Sequence, residues 1–137
     1  MEELSEPDEE IPETGIIINY AIFYPAEKPG SIETFSKNLV DIVKKTSKKP
    51  FYLKKVLRGE LKGDGQPVNW DPAIKKCAGL HVSAVFLIYM EKSDFHDTEE
   101  KFSSSGIFFQ TISHTQLERR ISYVDMVIEL MLTKKER

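Results

Sequence analysis

The chain has 137 residues, of which 40% are hydrophobic and 30% charged, with a formal net charge of −3. This length favours one domain, and the composition excludes a chain that is disordered throughout. The longest apolar run, 82–90, is far shorter than the ~20 residues that span a bilayer, so we expect no membrane segment. The first residues lack the basic and apolar stretches of a secretory signal, and the single cysteine, Cys77, fits a reducing compartment, so we expect a cytoplasmic protein.

The acidic residues are concentrated at the start of the chain. Residues 1–14 hold seven of the 22 acidic residues and none of the 19 basic ones, with few large apolar side chains. Such a segment cannot bury enough surface to offset its ordering entropy, so we predict a flexible acidic tail over 1–14 and a single domain over 15–137. Residues 44–62 hold eight basic residues against Glu60 alone, and the tail is able to cover this basic segment.

The first strands and the first helix follow from apolar periodicity. Residues 16–24 are apolar on both alternating faces, which is typical of a central strand covered on each side. Residues 31–46 carry apolar side chains at helical spacing behind Ser31, a residue type that favours helix starts. Lysines fill the gaps of the next extended segment, 51–57, which favours a strand near an edge of the sheet. Its alternation predicts one face made of Phe51, Leu53 and Leu57 and another made of Tyr52 and Val56.

The second half of the chain continues the alternation of helices and strands. The pair Asp71-Pro72 predicts the start of a short helix, and 82–90 is a second run that is apolar on both faces. Residues 97–102 predict a short helical segment and 106–112 another strand. Thr115 and Glu118 have the spacing of a capping box before a closing helix. Its predicted buried stripe is Leu117, Ile121, Val124, Ile128 and Met131.

This order of elements predicts a single three-layer α/β domain with a four-stranded, mostly parallel sheet and helices on both faces. The two doubly apolar strands belong in the middle, which gives the strand order 2-1-3-4. The alternative is an α+β fold in which a split βαβ unit is joined by an antiparallel edge strand.

No catalytic residue or cofactor is predicted. The chain lacks a glycine-rich phosphate loop and a nucleophile elbow, and its acidic and histidine residues match no metal signature. Ligands of parallel α/β sheets lie beyond the carboxyl ends of the strands, and the 91–97 loop occupies that position after the second central strand. The candidate metal ligands in and near this loop are Glu91, Asp94, His96 and His114.

The basic segment, Lys44–Lys62, interleaves cations with aromatic residues, a pattern that pairs phosphates and stacks bases. A solvated, lysine-rich edge explains the same residues without a ligand. The aromatic residues Trp70, Phe95 and Phe102 fall outside the periodic elements and are expected to be exposed, as interface anchors often are. Trp70, just before the helix start at Asp71, is equally well placed as a staple between the turn and that helix. The candidate residues for binding a protein partner or a polyanion are Lys48, Lys49, Tyr52, Lys54, Lys55, Arg58 and Trp70.

We therefore expect a small, non-enzymatic, intracellular binding or regulatory module that engages a protein partner, with an acidic tail able to cover a basic face. Two alternatives stay open. One is a protein that binds nucleic acid or another polyanion through the Lys44–Lys62 segment. The other is a metal-dependent enzyme that uses the 91–97 loop. The sequence names neither the partner nor the oligomeric state.

Overall fold

A computed structural model of the chain describes residues 2–3, 16–46, 51–61, 70–90 and 95–135. The elements within these ranges are β1 (Glu2–Glu3), β2 (Ile16–Pro25), α1 (Ser31–Thr46), β3 (Phe51–Leu61), α2 (Asp71–Gly79), β4 (Ala84–Tyr89), α3 (His96–Ser104), β5 (Phe108–Ser113), a 3-10 turn (His114–Gln116) and α4 (Arg120–Lys135). None of the helices in these ranges has the length and apolar character needed to cross a membrane.

The sheet has the order β1-β3-β2-β4-β5. Strands β2 to β5 are all parallel, and β3-β2-β4-β5 is the predicted order 2-1-3-4 of the four principal strands. The three-layer α/β prediction is confirmed, and the alternative with an antiparallel fourth strand is wrong, because β5 runs parallel to β4. The short strand β1 adds to the outer edge of β3 in the antiparallel direction. Residues 4–15 lie outside the described residues, so the flexible acidic tail stays a prediction.

Two apolar layers cover the sheet, one on each face. On the first, which we call the α1 face, alternate residues of β2 such as Tyr20 and Ile22 pack with Phe35 of α1 and Tyr123 of α4. On the second, the α2 face, the intervening residues of β2 and β4 pack against α2 and α3. Residues 84–88 of β4 are all buried, as expected for a central strand with helices above and below it.

The side chain of Trp70 is buried on the α2 face. It is only 6% exposed, and its ring packs edge-on against Phe23 of β2 and against Phe102 of α3, with centroid distances of 5.0 Å and 5.5 Å. Phe102 is fully buried, and Phe95 is half-buried against Tyr89. The expected exposure of Trp70 and Phe102 is therefore wrong. Their rings fill the space where α2 and α3 meet the sheet, which local periodicity does not indicate.

The buried face of α4 matches the predicted stripe only in part, because Leu117 is buried and Val124 is half-buried against the core. The helix packs through Tyr123, Met126, Val127 and Leu130. By contrast, Ile121, Ile128 and Leu132 are 67%, 47% and 57% exposed. Both sets have helical spacing, so the pattern alone does not distinguish them. The predicted capping box is wrong, because Thr115 and Glu118 both precede α4, which begins at Arg120. Ser113 instead caps the 3-10 turn by accepting from the backbone N–H of Thr115.

Two hydrogen bonds to the carbonyl oxygen of Leu117 orient α4. The hydroxyl of Tyr123 donates to the carbonyl oxygen of Leu117 at 2.7 Å, and the side-chain amide of Asn38 on α1 donates to the same oxygen at 2.8 Å. Tyr123 is fully buried, so this pairing satisfies a hydroxyl that would be costly to bury alone. It ties the start of α4 to α1 and turns the Tyr123 side of the helix inward.

Stability is expected to fall in alkaline solution. Burial raises the pKa of the Cys77 thiol from 9.0 to about 11 and, as the largest cause, the pKa of Tyr123 from 10.0 to about 12. Both groups are neutral when protonated, and burial favours that neutral form. Their contribution to the free energy of unfolding is therefore complete below their pKa values in the unfolded chain, and it is lost as the pH rises through their pKa values in the folded protein. We expect the free energy of unfolding to fall by on the order of 2–3 kcal/mol between pH 9 and pH 11, measured by urea denaturation. The double variant Cys77→Ala/Tyr123→Phe is the control, and an equally steep fall in that variant contradicts the assignment.

Candidate functional site

The four parallel strands all have their carboxyl ends on the same side of the sheet, as expected. At these strand ends, the hydroxyl of Tyr24 donates to the Glu60 carboxylate at 3.1 Å, which joins the ends of β2 and β3. The loop that follows β4 is only partly described. Residues 91–94 of this loop lie outside the described ranges, so the ligand position expected there stays untested.

The candidate metal ligands are not brought together in the described part of the chain. Glu91 and Asp94 lie outside the described residues. His96 begins α3 and pairs with Glu100 one turn along at 3.2 Å, and His114 begins the 3-10 turn after β5. Across residues 2–3, 16–46, 51–61, 70–90 and 95–135, no three histidine, cysteine, aspartate or glutamate side chains form a group that could hold a metal ion. The metal-site hypothesis is untested because two of its four ligands are missing from these ranges.

The basic strand β3 contains a β-bulge at Val56. Tyr20 and Ala21 of β2 are consecutive, yet they lie opposite Lys55 and Leu57, which leaves Val56 as the extra residue. Such a bulge reverses the alternation of the side chains that follow it. Leu53 consequently packs on the α1 face and Leu57 on the α2 face. The prediction that these two leucines share a face is wrong.

The basic residues of β3 lie on both faces: Lys54 and Lys55 alternate as in any strand, and the bulge puts Arg58 on the face of Lys55. On the α1 face, Lys55 Nζ donates to Ser36 Oγ of α1 at 3.1 Å, and Arg58 lies opposite Ile22. On the α2 face, Lys54 lies opposite Asn19, whose side-chain amide donates to the Leu80 carbonyl after α2 at 3.4 Å. Tyr52 is half-buried two residues before Lys54, on the same face by alternation. Lys48 and Lys49 lie outside the described residues.

The chain's own N-terminus occupies part of the outer edge of β3. Strand β1 pairs in the antiparallel direction, with Glu2 opposite Arg58 and Glu3 opposite Leu57. Directly opposite residues of an antiparallel pair project to the same face, so Glu3 projects to the α2 face with Leu57. There its carboxylate pairs with Lys76 Nζ of α2 at 2.5 Å. An extended acidic segment is thus held by the strand and by a cation from the adjacent helix.

The contact between Lys76 and Glu3 is weak because both side chains are exposed to solvent. The side chains of Lys76 and Glu3 are 43% and 54% exposed, and a solvated pair of this kind contributes about 0–1 kcal/mol. Within the described residues, β1 pairs with only two of the 11 residues of β3. Backbone pairing over two residues adds little more. Within the described part of the chain, the outer edge of β3 therefore holds an extended segment through two paired residues and one solvated ion pair.

Lys76 is the residue of this site that sequence reasoning missed. It lies on the exposed side of α2, 18 positions beyond Arg58, and nothing in its local pattern distinguishes it from Lys75. Trp70, in contrast, was a candidate for binding and lies in the core instead. The contact that the structure reveals at this edge is the one between Lys76 of α2 and Glu3 of β1, while Tyr52, Lys54, Lys55 and Arg58 are spread along both faces of β3.

The fold and the edge define a class of protein, namely a small three-layer α/β domain with a basic acceptor strand at one edge of its sheet. The chain matches no family model and no curated protein, so the geometry alone informs its function.

Proposed function

We propose that this protein is a small, non-enzymatic binding module whose protein partner adds an extended segment to the outer edge of β3. One observation carries the proposal: β1 is seated on this edge as an antiparallel strand. Strand addition supplies affinity through main-chain hydrogen bonds, and the side chains that flank the edge supply selectivity. In this proposal the N-terminal acidic segment covers the edge and competes with the partner. The unpaired Cys77 supports a cytoplasmic location, which we include in the proposal.

A peptide fits this edge better than a nucleic acid does. Ordinary strand alternation places Lys54 and Lys55 on opposite faces of the sheet, so the basic residues do not form one flat patch. A strand that lies in the plane of the sheet presents alternate side chains to both faces, whereas a phosphate backbone lies against one. Trp70 is buried and offers no surface for stacking a base. These features favour a protein partner over a polyanion.

The proposal predicts that weakening β1 exposes the edge. The probe is a fluorescent peptide with the sequence of residues 1–10, added to the full chain and to a full-length Glu2→Lys/Glu3→Lys variant. We expect the variant to bind the peptide about threefold to fivefold more tightly, because a resident segment lowers apparent affinity by the fraction of molecules whose edge is empty. Fluorescence anisotropy measures the affinity, and backbone amide shifts of Leu57 and Arg58 locate the peptide.

The matched control is a full-length Glu99→Lys/Glu100→Lys variant. It changes the net charge by the same amount at two adjacent exposed positions of α3, away from the edge. We expect this control to bind the peptide no more tightly than the natural chain does. If the amide shifts fall outside β3, or if the edge variant shows no binding at about 1 mM peptide, the proposed function is wrong.

A further inference from the structure

We infer that the segment recognised at the edge of β3 is acidic, and that Lys76 on α2 selects a carboxylate at the position opposite Leu57. This inference rests on the proposed function and names the chemistry of the partner. The evidence is the occupant of the edge: Glu3 lies opposite Leu57 and places its carboxylate on Lys76. The partner segment takes the place of β1, so its corresponding residue meets the same cation.

The inference extends to the adjacent position of the edge, which lies on the other face. Arg58 projects to the α1 face, and the residue opposite it in β1 is Glu2. A residue of the partner that pairs opposite Arg58 therefore lies beside a guanidinium group. Two consecutive acidic residues satisfy both positions because consecutive side chains of a strand project to opposite faces. The motif that the outer edge of β3 recognises is thus two adjacent acidic residues in an extended segment.

The remaining charges of the strand discourage other partners. Lys54 and Lys55 flank the approach to the same positions, one on each face. Lysines on an edge strand oppose pairing with a basic or purely apolar strand, because the incoming strand would repel them or strip their hydration. An acidic segment is attracted instead, and the attraction is screened by salt. Selectivity at this edge therefore comes from attraction of acids together with rejection of other sequences.

A charge exchange between the protein and the peptide tests this inference. The full-length Glu2→Lys/Glu3→Lys variant is titrated with three peptides of the residue 1–10 sequence, in which positions 2 and 3 are glutamate, glutamine or lysine. We expect the glutamate peptide to bind at least about tenfold more tightly than the glutamine peptide, and the lysine peptide to bind most weakly. Adding Lys76→Glu to the variant should reduce the ratio of the glutamate-peptide to the glutamine-peptide affinity by about threefold to fivefold.

Lys75→Glu is the matched control for this exchange. Lys75 is the neighbouring exposed lysine of α2, so its substitution changes the charge equally without altering the residue that contacts Glu3. We expect the Lys75→Glu protein to keep most of the preference, and thermal melts to show that both variants are folded. Equal binding of all three peptides, with amide shifts still at Leu57 and Arg58, overturns the inference and leaves the proposed function intact. Absence of binding at β3 by every peptide overturns both.

Discussion

Replacing Trp70 with alanine is expected to lower the free energy of unfolding by about 3–5 kcal/mol. The indole is almost fully buried between Phe23 of β2 and Phe102 of α3, immediately before the first residue of α2. Its removal leaves a cavity where two helices meet the sheet, and surrounding groups collapse into such a space only in part. Urea denaturation of the full chain measures the loss.

Lys75→Ala, in the helix that follows Trp70, provides the comparison for Trp70→Ala. Lys75 is exposed on α2, and truncating a solvated side chain changes stability by less than about 0.5 kcal/mol. A loss of under about 1 kcal/mol for Trp70→Ala would show that the indole is not packed in the core. Trp70 would then return to the set of residues available to a partner.

A second large loss of stability is expected when the buried leucine of α4, Leu130, is replaced, but not when the exposed Leu132 is replaced. Leu130→Ala should cost about 2–5 kcal/mol, because Leu130 is fully buried against α1 and the sheet. Leu132→Ala should cost less than about 0.5 kcal/mol, because Leu132 is more than half exposed. The substitution is chemically identical at both positions, and the positions lie on opposite sides of the helix. Urea denaturation of the two variants under the same conditions therefore reports which face is buried.

The comparison of Leu130→Ala with Leu132→Ala decides which of two sides of α4 faces the core. The sequence predicts burial of the side that contains Ile121 and Ile128, whereas the structure buries the side that contains Tyr123 and Leu130. If Leu132→Ala proves the more damaging change, α4 is rotated from the orientation described here, and the hydrogen bond from Tyr123 to Leu117 is not formed. Circular dichroism of both variants before denaturation verifies that the helix content is retained.

The sequence was a good guide to the order of the principal elements. Residues 16–24 and 82–90 are apolar on both alternating faces, and the two strands found there, Ile16–Pro25 and Ala84–Tyr89, lie in the middle of the sheet. The helix predicted over 31–46 is the observed Ser31–Thr46. These features depend on side-chain periodicity over a few residues and on burial of both sheet faces, which a single chain records directly.

The candidate site was only partly visible in the sequence. The lysines and the arginine of β3 were identified as a basic segment, and the acidic start of the chain was identified as complementary to it. The bulge at Val56 was not predicted, because an extra residue in one strand is defined only by the register of its neighbour. Without the bulge, the position of Arg58 on the same face as Lys55 does not follow.

The sequence by itself determined the α/β class, the central strands and the location of charge along the chain. The tertiary structure alone decided which side of α4 faces the core, that Trp70 is enclosed between α2, α3 and the sheet, and that Lys76 meets Glu3. The physical reason is the range of the interactions. Periodicity reports on neighbours within one or two turns, whereas a contact between residues far apart in the chain exists only after strand order and register bring their elements together.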